Sequence, residues 1–442
     1  MHASSAGAPH PVPTGLDVRS FRALTYSHRD PGHLARVSSP AYDLVTPDGR
    51  ARLAATDPHN VVRLILPGGT PAAGSAGAPT TGVPAGRDAG GPAERAAHLL
   101  RAWEAEGVLV RDDTAALWLY ELAPARGPAT VGWLGAVSVD GARRAVLPHE
   151  DTFPAAVEGR RALLAATATD LEPIVLAHDP EPEVAELTQA ARTGPPAMEV
   201  TDADGVRHRL WRVTAEETLR RLSAALGRTG AVIADGHHRF AAAQALHRTH
   251  PGGDCRVLAL LTPMGTGGLR VEAIHRVVPD LPLDRAAASA RRGFAVTEVP
   301  VPGQAGGVAA ILAGLQGGSS GGYLLTDGHR LLQLTDPSPE VRATVPAEAP
   351  DAWRRLDVVL ATTGLVGALW GRPDDPESLL VAHDVPEALR LARERAGVAL
   401  LLRPPSPADV AAVARAGARM PRKSTLFVPK PRTGLVLRPH RD

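Results

Sequence analysis

The chain is poor in several kinds of residue, and each shortage excludes something. Its only cysteine is Cys255, so neither an intrachain disulfide framework nor a zinc site with several thiolate ligands can form. Aromatic residues make up 3%, so Val, Leu, Ala and Ile must fill the cores. No apolar run is long enough to cross a bilayer. The formal net charge of +1 provides no global field that would attract nucleic acid or an acidic membrane.

The length and apolar content nevertheless indicate a well-packed protein. A chain of 442 residues is long enough for two or three domains, and 44% of it is hydrophobic. Residues 1–13 contain no hydrophobic signal region. We therefore expect a cytoplasmic protein that acts on a small-molecule substrate, with neither nucleic acid nor a membrane as partner. The sequence leaves the oligomeric state open.

Lysine is scarce, because 46 of the 48 basic residues are arginines. The two lysines, Lys423 and Lys430, fall within eight residues of each other near the end of the chain. Such clustering is improbable by chance in a chain rich in Ala, Gly and Pro, so it marks this segment for attention.

The pattern of residues predicts an α+β (mixed α/β) fold in several parts, because helical and strand periodicities alternate along the chain. Residues 1–15 read as a flexible tail, residues 16–280 as the main α/β domain and residues 281–442 as a C-terminal α/β region. Residues 67–92 are rich in Gly, Ala, Pro and Thr and predict a disordered surface insertion.

Local periodicity also predicts particular elements. Residues 60–66 alternate in a way that predicts a strand, and residues 117–122 and 132–139 predict two neighbouring strands of one sheet. Residues 231–234 form an apolar run before a glycine, and an alanine-rich helical stretch follows over 241–247. This last pattern predicts a strand, a turn and a helix start within a dozen residues.

The turn in that pattern is Asp235-Gly236-His237-His238-Arg239. A helix N-terminus has unpaired backbone N–H groups and a partial positive charge, so imidazoles and a guanidinium there could bind an anion such as phosphate. A polar turn that caps the helix, or a metal site, is an alternative. The arginine would repel a cation and suits bidentate phosphate contact, which argues against the metal.

A second motif is His149-Glu150-Asp151, which follows a strand-like segment. A loop that leads into a helix explains these residues equally well. The functional alternative is an acidic pair that holds magnesium or acts as a general base. Glu150 is the candidate for either role.

A third motif contains Tyr42 and Asp43, with Arg63 further along the chain. A turn and a strand would explain these residues without any function. They remain candidates for substrate binding because the segments that carry them could border one cleft.

The fourth motif includes both lysines and spans residues 419–431. One interpretation is an extended C-terminal segment with solvated lysines. The other is a phosphate or anionic-substrate site, in which Lys423, Ser424 and Thr425 bind phosphate and Lys430 binds substrate.

Taken together, these motifs resemble a known family, the bacterial domain of unknown function 1015. The resemblance rests on residues 40–43, 60–64, 149–152, 233–240, 275–278 and 420–430, in that order, and runs from about Val18 to Leu437. Two departures are small. Phe240 stands where members commonly have Tyr, and Arg422 adds one basic residue before Lys423.

The Gly-His-His-Arg turn also resembles, more distantly, the phosphate-binding box of the ParB and sulfiredoxin-like proteins, which include ParB-like free-serine kinases. This resemblance implies a nucleotide-binding core of that type. It implies that Gly236 permits close approach, that His238 and Arg239 contact phosphate, and that Asp235 positions the turn or a metal.

The resulting hypothesis is a nucleotide-binding phosphotransferase that acts on a small hydroxyl-bearing metabolite, as a serine kinase does. The cofactors would be ATP, ADP or another nucleotide, with Mg²⁺ between its phosphates. The expected catalytic residues are Glu150, Asp235 and His237, with Glu150 and Asp235 as metal ligands. The expected phosphate ligands are Gly236, His238, Arg239, Lys423, Ser424 and Thr425. The possible substrate contacts are Tyr42, Asp43, Arg63, His149 and Lys430.

Two alternatives belong to other classes of protein. One is a non-catalytic, ParB-like regulator that binds nucleotide. The other is a metal-dependent hydrolase with zinc or manganese held by His149, Glu150, Asp235, His237 and His238.

Overall fold

A computed structural model of the chain describes residues 15–68, 90–140, 145–250, 255–265, 268–301, 305–315 and 322–440. The flexible tail predicted over residues 1–15 lies outside these residues except for its last position. Most of the insertion predicted over residues 67–92 lies outside them too.

The described residues divide into two compact units. The first lies within Met1–Gly268 and Pro429–Asp442, and the second is Leu269–Val428. The sequence-based boundary instead falls after residue 280 and keeps the C-terminus with the second part. The difference has a physical reason, since the last segment bonds to the first unit. Thr433 and Ser39 exchange backbone hydrogen bonds, and so do Leu437 and Leu24.

The first unit contains a mixed sheet, with nine strands among the described residues. These are β1 (Val18–Arg19), β4 (Leu117–Ala123), β5 (Thr130–Ser138), β6 (Val146–Leu147), β8 (Ile174–His178), β9 (Met198–Thr201), β10 (Arg207–Val213), β11 (Ala231–Asp235) and β12 (Arg256–Pro263). The order is β6-β11-β8-β12-β5-β4-β10-β9, with β1 also paired to β5. The pairs β6–β11 and β8–β12 are parallel, and the others are antiparallel.

Two short ladders and a set of helices complete this unit. The ladders pair β2 (Leu24–Tyr26) with β3 (Leu109–Arg111), and β7 (Thr169–Asp170) with β21 (Arg438–Pro439). The helices are α1 (Pro31–Val37), α2 (Pro47–Thr56), α3 (Val62–Ile65), α4 (Pro92–Ala105), α5 (Pro154–Thr167), α6 (Pro182–Ala191), α7 (Glu216–Leu226) and α8 (His237–Thr249), with a 3₁₀ turn at Tyr42–Leu44. Proline at the first helical position, as in α5 and α6, suits a backbone whose first N–H has no helical partner.

The sheet of the first unit is covered on both faces. Along β4, Trp118 and Tyr120 pack into one hydrophobic cluster, whereas Leu117 and Leu119 pack into another. Side chains of a strand alternate between faces, so both faces of β4 are buried. The two neighbouring strands predicted from the sequence are confirmed as β4 and β5. These strands pair with each other, and Trp118 lies opposite Leu134.

The strand predicted over residues 60–66 is wrong, because this segment forms helix α3. The side chain of Asn60 accepts a hydrogen bond from the backbone N–H of Val62 at 2.9 Å and turns the chain into the helix. Val62, Leu64 and Ile65 are all buried, so the helix is covered on more than one side and its residues mimic an alternating pattern.

The second unit has a six-stranded antiparallel sheet in the order β15-β17-β16-β19-β14-β18. Its strands are β14 (His275–Val278), β15 (Ala295–Val299), β16 (Tyr323–Thr326), β17 (Leu331–Thr335), β18 (Leu380–Ala382) and β19 (Val398–Leu401), and a separate ladder joins β13 (Arg270–Glu272) to β20 (Leu426–Val428). Its helices are α9 (Leu283–Ala290), α10 (Ala305–Gly314), α11 (Pro339–Arg342), α12 (Asp351–Arg354), α13 (Asp357–Leu360), α14 (Val385–Glu394) and α15 (Pro407–Arg415), with a π-helical segment at Ala361–Leu369.

The fold is therefore mixed α/β, with a large mixed sheet. In the part of the chain that the structure describes, no helix combines the length and apolarity needed to span a membrane.

Candidate functional site

The turn between β11 and α8 has the form predicted from the sequence. Strand β11 ends at Asp235, and helix α8 begins at His237. Between them Gly236 has φ 95° and ψ 28°, a left-handed conformation that favours glycine. A Cβ atom at this position would lie 2.7 Å from Cγ2 of Ile174. Gly236 therefore allows the strand to turn sharply into the helix beside β8.

Asp235 lies between two cations at this turn. Nη2 of Arg239 donates to Oδ2 at 2.5 Å, and Nζ of Lys430 lies 2.7 Å from Oδ1. The exposed fractions of the Asp235, Arg239 and Lys430 side chains are 14%, 10% and 10%. Burial alone would raise the pKa of Asp235, but Lys430 and then Arg239 lower it below its usual value. The carboxylate is therefore ionised and held on both sides.

Lys430 has a second partner, because its Nζ also donates to Oδ2 of Asp43. Burial would lower the pKa of Lys430, yet Asp235 and Asp43 together raise it. The Asp43 side chain is 36% exposed, so the lysine has one buried and one accessible carboxylate partner. The structure thus joins Asp43, Asp235 and Lys430, three of the residues chosen from the sequence, into one cluster.

Arg239 still has an unused donor within this cluster. Its Nη1 donates to the carbonyl oxygen of Pro173 at 2.6 Å, whereas its buried Nε has no hydrogen-bond partner among the described residues. Burial would lower the pKa of Arg239, but the charge of Asp235 and then that of Glu172 raise it. Arg239, Arg160 and Glu172 also line a cavity of ≈ 40 Å³, which has room for a water molecule.

Tyr42 connects the cluster to a second arginine. The guanidinium carbon of Arg160 lies 3.6 Å from the centre of the Tyr42 ring, and that of Arg239 lies 5.6 Å from it. The backbone N–H of Tyr42 and the hydroxyl of Thr433 each donate to Oε1 of the buried Glu172 at 3.0 Å. The Tyr42 ring therefore lies within cation–π distance of two guanidinium groups.

The two histidines of the turn hold the segment that carries Glu150. Nε2 of His237 accepts from the backbone N–H of His149 at 3.2 Å, and Nε2 of His238 accepts from that of Phe153 at 3.1 Å. The rings of His149 and His237 meet edge to face at 4.6 Å, and the Phe153 ring stacks on that of His238. Both Nε2 atoms act as acceptors, so in the neutral rings the proton resides on Nδ1.

Glu150 lies against the same two rings. Its carboxylate oxygens are 3.9 Å from Nε2 of His149 and 3.9 Å from Nδ1 of His237. The Glu150 side chain is 36% exposed, so a substrate could reach it. Because His237 directly follows Gly236, the Glu150 carboxylate and the Asp235 cluster belong to one region.

The carboxylates do not fit a metal held by the protein. Across the residues that the structure describes, no group of three or more His, Cys, Asp or Glu could hold a metal ion. Each oxygen of Asp235 already faces a cation, Lys430 or Arg239. Magnesium ligation by Glu150 and Asp235 stays a prediction that would require these pairs to open.

The remaining predicted residues have other surroundings. Nη2 of Arg63 donates to the carbonyl oxygen of Ala54 at 2.7 Å, a contact between α3 and α2. Lys423, Ser424 and Thr425 belong to the second unit. Their contact with phosphate, like that of His238, stays a prediction.

Glu172 and Arg160 are the site residues that the sequence-based choice omits. The available signal for Glu172 is an acidic residue two positions before the fully buried strand β8. Such a carboxylate needs a partner, and the partner comes from a distant part of the chain.

These observations define the class of protein. It has a mixed α/β fold and a charged cluster at a strand–glycine–helix turn. The chain belongs to the family described as protein of unknown function (DUF1015), which it matches over residues 18–359. No curated protein matches the chain.

Several solved structures resemble the chain distantly. Truncated SbnI from Staphylococcus aureus is 14% identical, with a TM-score of 0.34, and the match covers 68% of this chain and 85% of that one. A conserved hypothetical protein from Pyrococcus furiosus is 12% identical, with a TM-score of 0.31 and coverage of 69% and 93%. A free serine kinase in complex with AMP is 13% identical, with a TM-score of 0.31 and coverage of 70% and 90%.

Proposed function

We propose that this protein is a nucleotide-binding phosphotransferase that acts on a small hydroxyl-bearing metabolite, in the manner of a serine kinase, with a ParB/sulfiredoxin-like core. The observation that carries the proposal is the position of Lys430. It lies between the accessible Asp43 and the buried Asp235, beside Arg239 at the start of α8. Cations and an accessible carboxylate at a helix N-terminus are the groups that phosphoryl transfer needs.

Phosphate binding is assigned to the turn. The first N–H groups of α8 and the positive end of its dipole favour an anion. Nε of Arg239 is a donor without a partner among the described residues. Lys430 would exchange its contact with Asp43 for a phosphate oxygen and remain paired with Asp235. ATP or ADP is the expected phosphoryl donor.

The transfer step requires a base for the acceptor hydroxyl. Its proton passes to a carboxylate while its oxygen forms a bond to phosphorus. The bond between phosphorus and the bridging oxygen breaks, and its electron pair leaves with the nucleotide. Lys430 and Arg239 neutralise the charge that develops on the departing oxygens. Glu150 is the first candidate for the base and Asp43 the second, because both are 36% exposed.

Calorimetry on the full-length protein tests nucleotide binding. ATP, ADP and AMP are titrated with and without magnesium, and at least one should bind. Lys430→Met should weaken that binding by at least tenfold, since it removes the cation that would contact the phosphate. Arg220→Ala is the matched control because Arg220 forms an exposed pair with Glu217. Absence of binding under every condition contradicts the proposal.

A transfer assay with L-serine as the first acceptor tests the chemistry. If Glu150 is the base, Glu150→Gln should retain nucleotide binding and lose transfer. If Asp43 is the base, Asp43→Asn should retain nucleotide binding and lose transfer instead. Binding by the unaltered protein without transfer to any hydroxyl compound would favour the regulator. Tightly bound zinc or manganese, measured by elemental analysis, would favour the hydrolase.

A further inference from the structure

The two most exposed large hydrophobic side chains of the described residues both belong to the segments that carry the accessible carboxylates. Phe153 is 65% exposed and Leu44 is 54% exposed, whereas the other two such side chains, both valines, are less than half exposed. Phe153 stands three positions after Glu150, and Leu44 directly follows Asp43. Apolar side chains beside charged ones suit a ligand that combines a charged part with an apolar part.

Phe153 is held against the first turn of α8 at two points. Its ring stacks on the imidazole of His238, with the ring planes 13° apart and the ring centroids 5.8 Å apart. Its backbone N–H donates to Nε2 of the same imidazole at 3.1 Å, and Pro154 begins helix α5 directly after it. The imidazole covers one face of the ring. Because Phe153 is nevertheless 65% exposed, the opposite face of the ring is open to solvent.

An open, flat ring at this place suits the nucleobase of a nucleotide. His238 is the second residue of α8, so the Phe153 ring lies one side chain away from the turn to which phosphate binding is assigned. Aromatic rings favour stacked partners, and every nucleobase has a π-face that can stack. Leu44 offers an apolar contact but no ring. Phe153 is therefore the better platform for a nucleobase.

We propose that the nucleobase of the bound nucleotide stacks on the open face of Phe153 while its phosphates lie at the Asp235 turn. This inference rests on the proposed nucleotide binding and adds the residue that recognises the nucleobase. Stacking depends on ring area and does not read the hydrogen-bonding edge of a nucleobase. The contact with Phe153 therefore favours purines over pyrimidines and contributes equally to the binding of adenine and guanine nucleotides.

Calorimetry with ATP and with inorganic tripolyphosphate separates the nucleobase contact from the phosphate contact. Phe153→Ala should weaken ATP binding about tenfold, as expected for the loss of one stacked base, and leave tripolyphosphate affinity within twofold. The same variant should lose affinity for GTP by the same factor and for CTP by a smaller one. Val110→Ala is the matched control, because Val110 is also an exposed hydrophobic residue of the first unit, and its ATP affinity should stay within twofold.

A fluorescence measurement reports the stacking directly. Phe153→Trp keeps an aromatic platform, so its ATP affinity should be at least that of the unaltered protein. The substitution adds one indole to the six tryptophans of the chain. ATP should quench the added emission, measured against the unaltered protein, whereas tripolyphosphate should not, because only ATP brings a nucleobase. Added emission that ATP leaves unchanged overturns the inference.

The outcomes separate this inference from the proposed function. ATP affinity that Phe153→Ala leaves unchanged overturns the inference alone, and nucleotide binding stands. Equal losses of ATP and tripolyphosphate affinity overturn it too, because the ring would then act by holding His238 in place. A loss of ATP affinity in Leu44→Ala but not in Phe153→Ala would assign the nucleobase to Leu44. If no nucleotide binds the unaltered protein, the proposed function itself fails, and this inference fails with it.

Discussion

Two basic turns stand out in the sequence, and they are built in opposite ways. At the Asp235 turn of the first unit, Arg239 and Lys430 face carboxylates, and one of these, Asp43, is accessible. At the Lys423 turn of the second unit, the buried Arg276 donates at 2.8 Å to the backbone carbonyl oxygens of Arg422 and Lys423. The first turn directs its cations at exchangeable side chains, whereas the second is held by Arg276 through its backbone, and the only side-chain ion pair described for residues 421–425 joins Arg422 to Asp374 at 2.8 Å.

This difference distinguishes a candidate binding site, at the Asp235 turn, from a structural contact, at the Lys423 turn. Burial lowers the pKa of Arg276 to about 10, and its guanidinium fixes the path of the chain. The Ser424 hydroxyl is also engaged, since it donates to the carbonyl oxygen of Pro421 at 2.7 Å. Among residues 421–425, all of which the structure describes, only Lys423 is exposed. A basic motif thus indicates ligand binding best when its cations face groups that a ligand can replace.

The largest expected effect comes from Asp235→Ala, which leaves Arg239 without its carboxylate partner and Lys430 with Asp43 alone. Breaking a buried pair from one side costs about 3–5 kcal/mol, and urea denaturation measures that loss. Nucleotide affinity should fall at least tenfold in the same variant, because both phosphate-binding cations lose their positions.

A matched carboxylate elsewhere in the first unit provides the control. Asp112 is 9% exposed and lies between Arg29, at 3.4 Å, and Arg212, at 3.1 Å. Asp112→Ala should also destabilise the protein but leave nucleotide affinity within twofold. If nucleotide affinity falls equally in both variants, general destabilisation explains the result, and the Asp235 turn has no specific role in nucleotide binding.

The next expected effect is a loss of stability at low pH, and it involves β14, the strand that carries Arg276. His275 is buried and its Nδ1 accepts from the backbone N–H of Leu402. Burial, partly opposed by Asp384, lowers the pKa of His275 to about 4. The unfolded chain therefore takes up the proton first, and stability is lost as the pH falls from about 6.5 to about 4.

That loss should amount to about 3 kcal/mol at 1.36 kcal/mol per pKa unit. Urea denaturation at a series of pH values should show a shallower slope in His275→Gln than in the unaltered protein. His383→Gln is the control, because the His383 side chain is 52% exposed. Identical slopes in all three proteins would mean that His275 titrates normally in the folded state.

A smaller loss is expected from Arg276→Met. Methionine replaces the apolar stem but leaves two carbonyl oxygens of the turn without donors, at a cost of about 2 kcal/mol. Arg292→Met is the control, since the exposed Arg292 also donates to a carbonyl oxygen, that of Leu369. Its free energy of unfolding should change by less than about 0.5 kcal/mol. Equal changes in the free energy of unfolding of the two variants would show that Arg276 does not stabilise the turn.

The two turns also show what the sequence could predict. The turn at Gly236 was predictable because strand, left-handed glycine and helix are all specified within a few residues. The lysine scarcity drew attention to Lys430 and the family motif to Asp43. Their pairing, however, joins residues 387 positions apart, and only the packed structure brings them together.

Glu172 and Arg276 could not be assigned their roles from local patterns. Glu172 is buried because Tyr42 and Thr433, from two distant segments, supply its donors. Arg276 lies in a buried strand, and its partners are backbone atoms that have no signature in the sequence. The prediction of a strand over residues 60–66 failed for a related reason, because burial on several sides hides helical periodicity.

The smallest effect is a gain, and it tests the Lys423 turn directly. Lys423 has φ 48°, a left-handed conformation that glycine adopts without strain. Lys423→Gly should therefore stabilise the protein by about 0.5 kcal/mol, because the relief of strain exceeds the added freedom of the unfolded chain. Lys423→Ala keeps the strain and should show no gain. Both variants should bind nucleotide within twofold of the unaltered protein if this turn is only structural. A tenfold loss of affinity in both would instead make Lys423 a phosphate ligand and remove the contrast between the two turns.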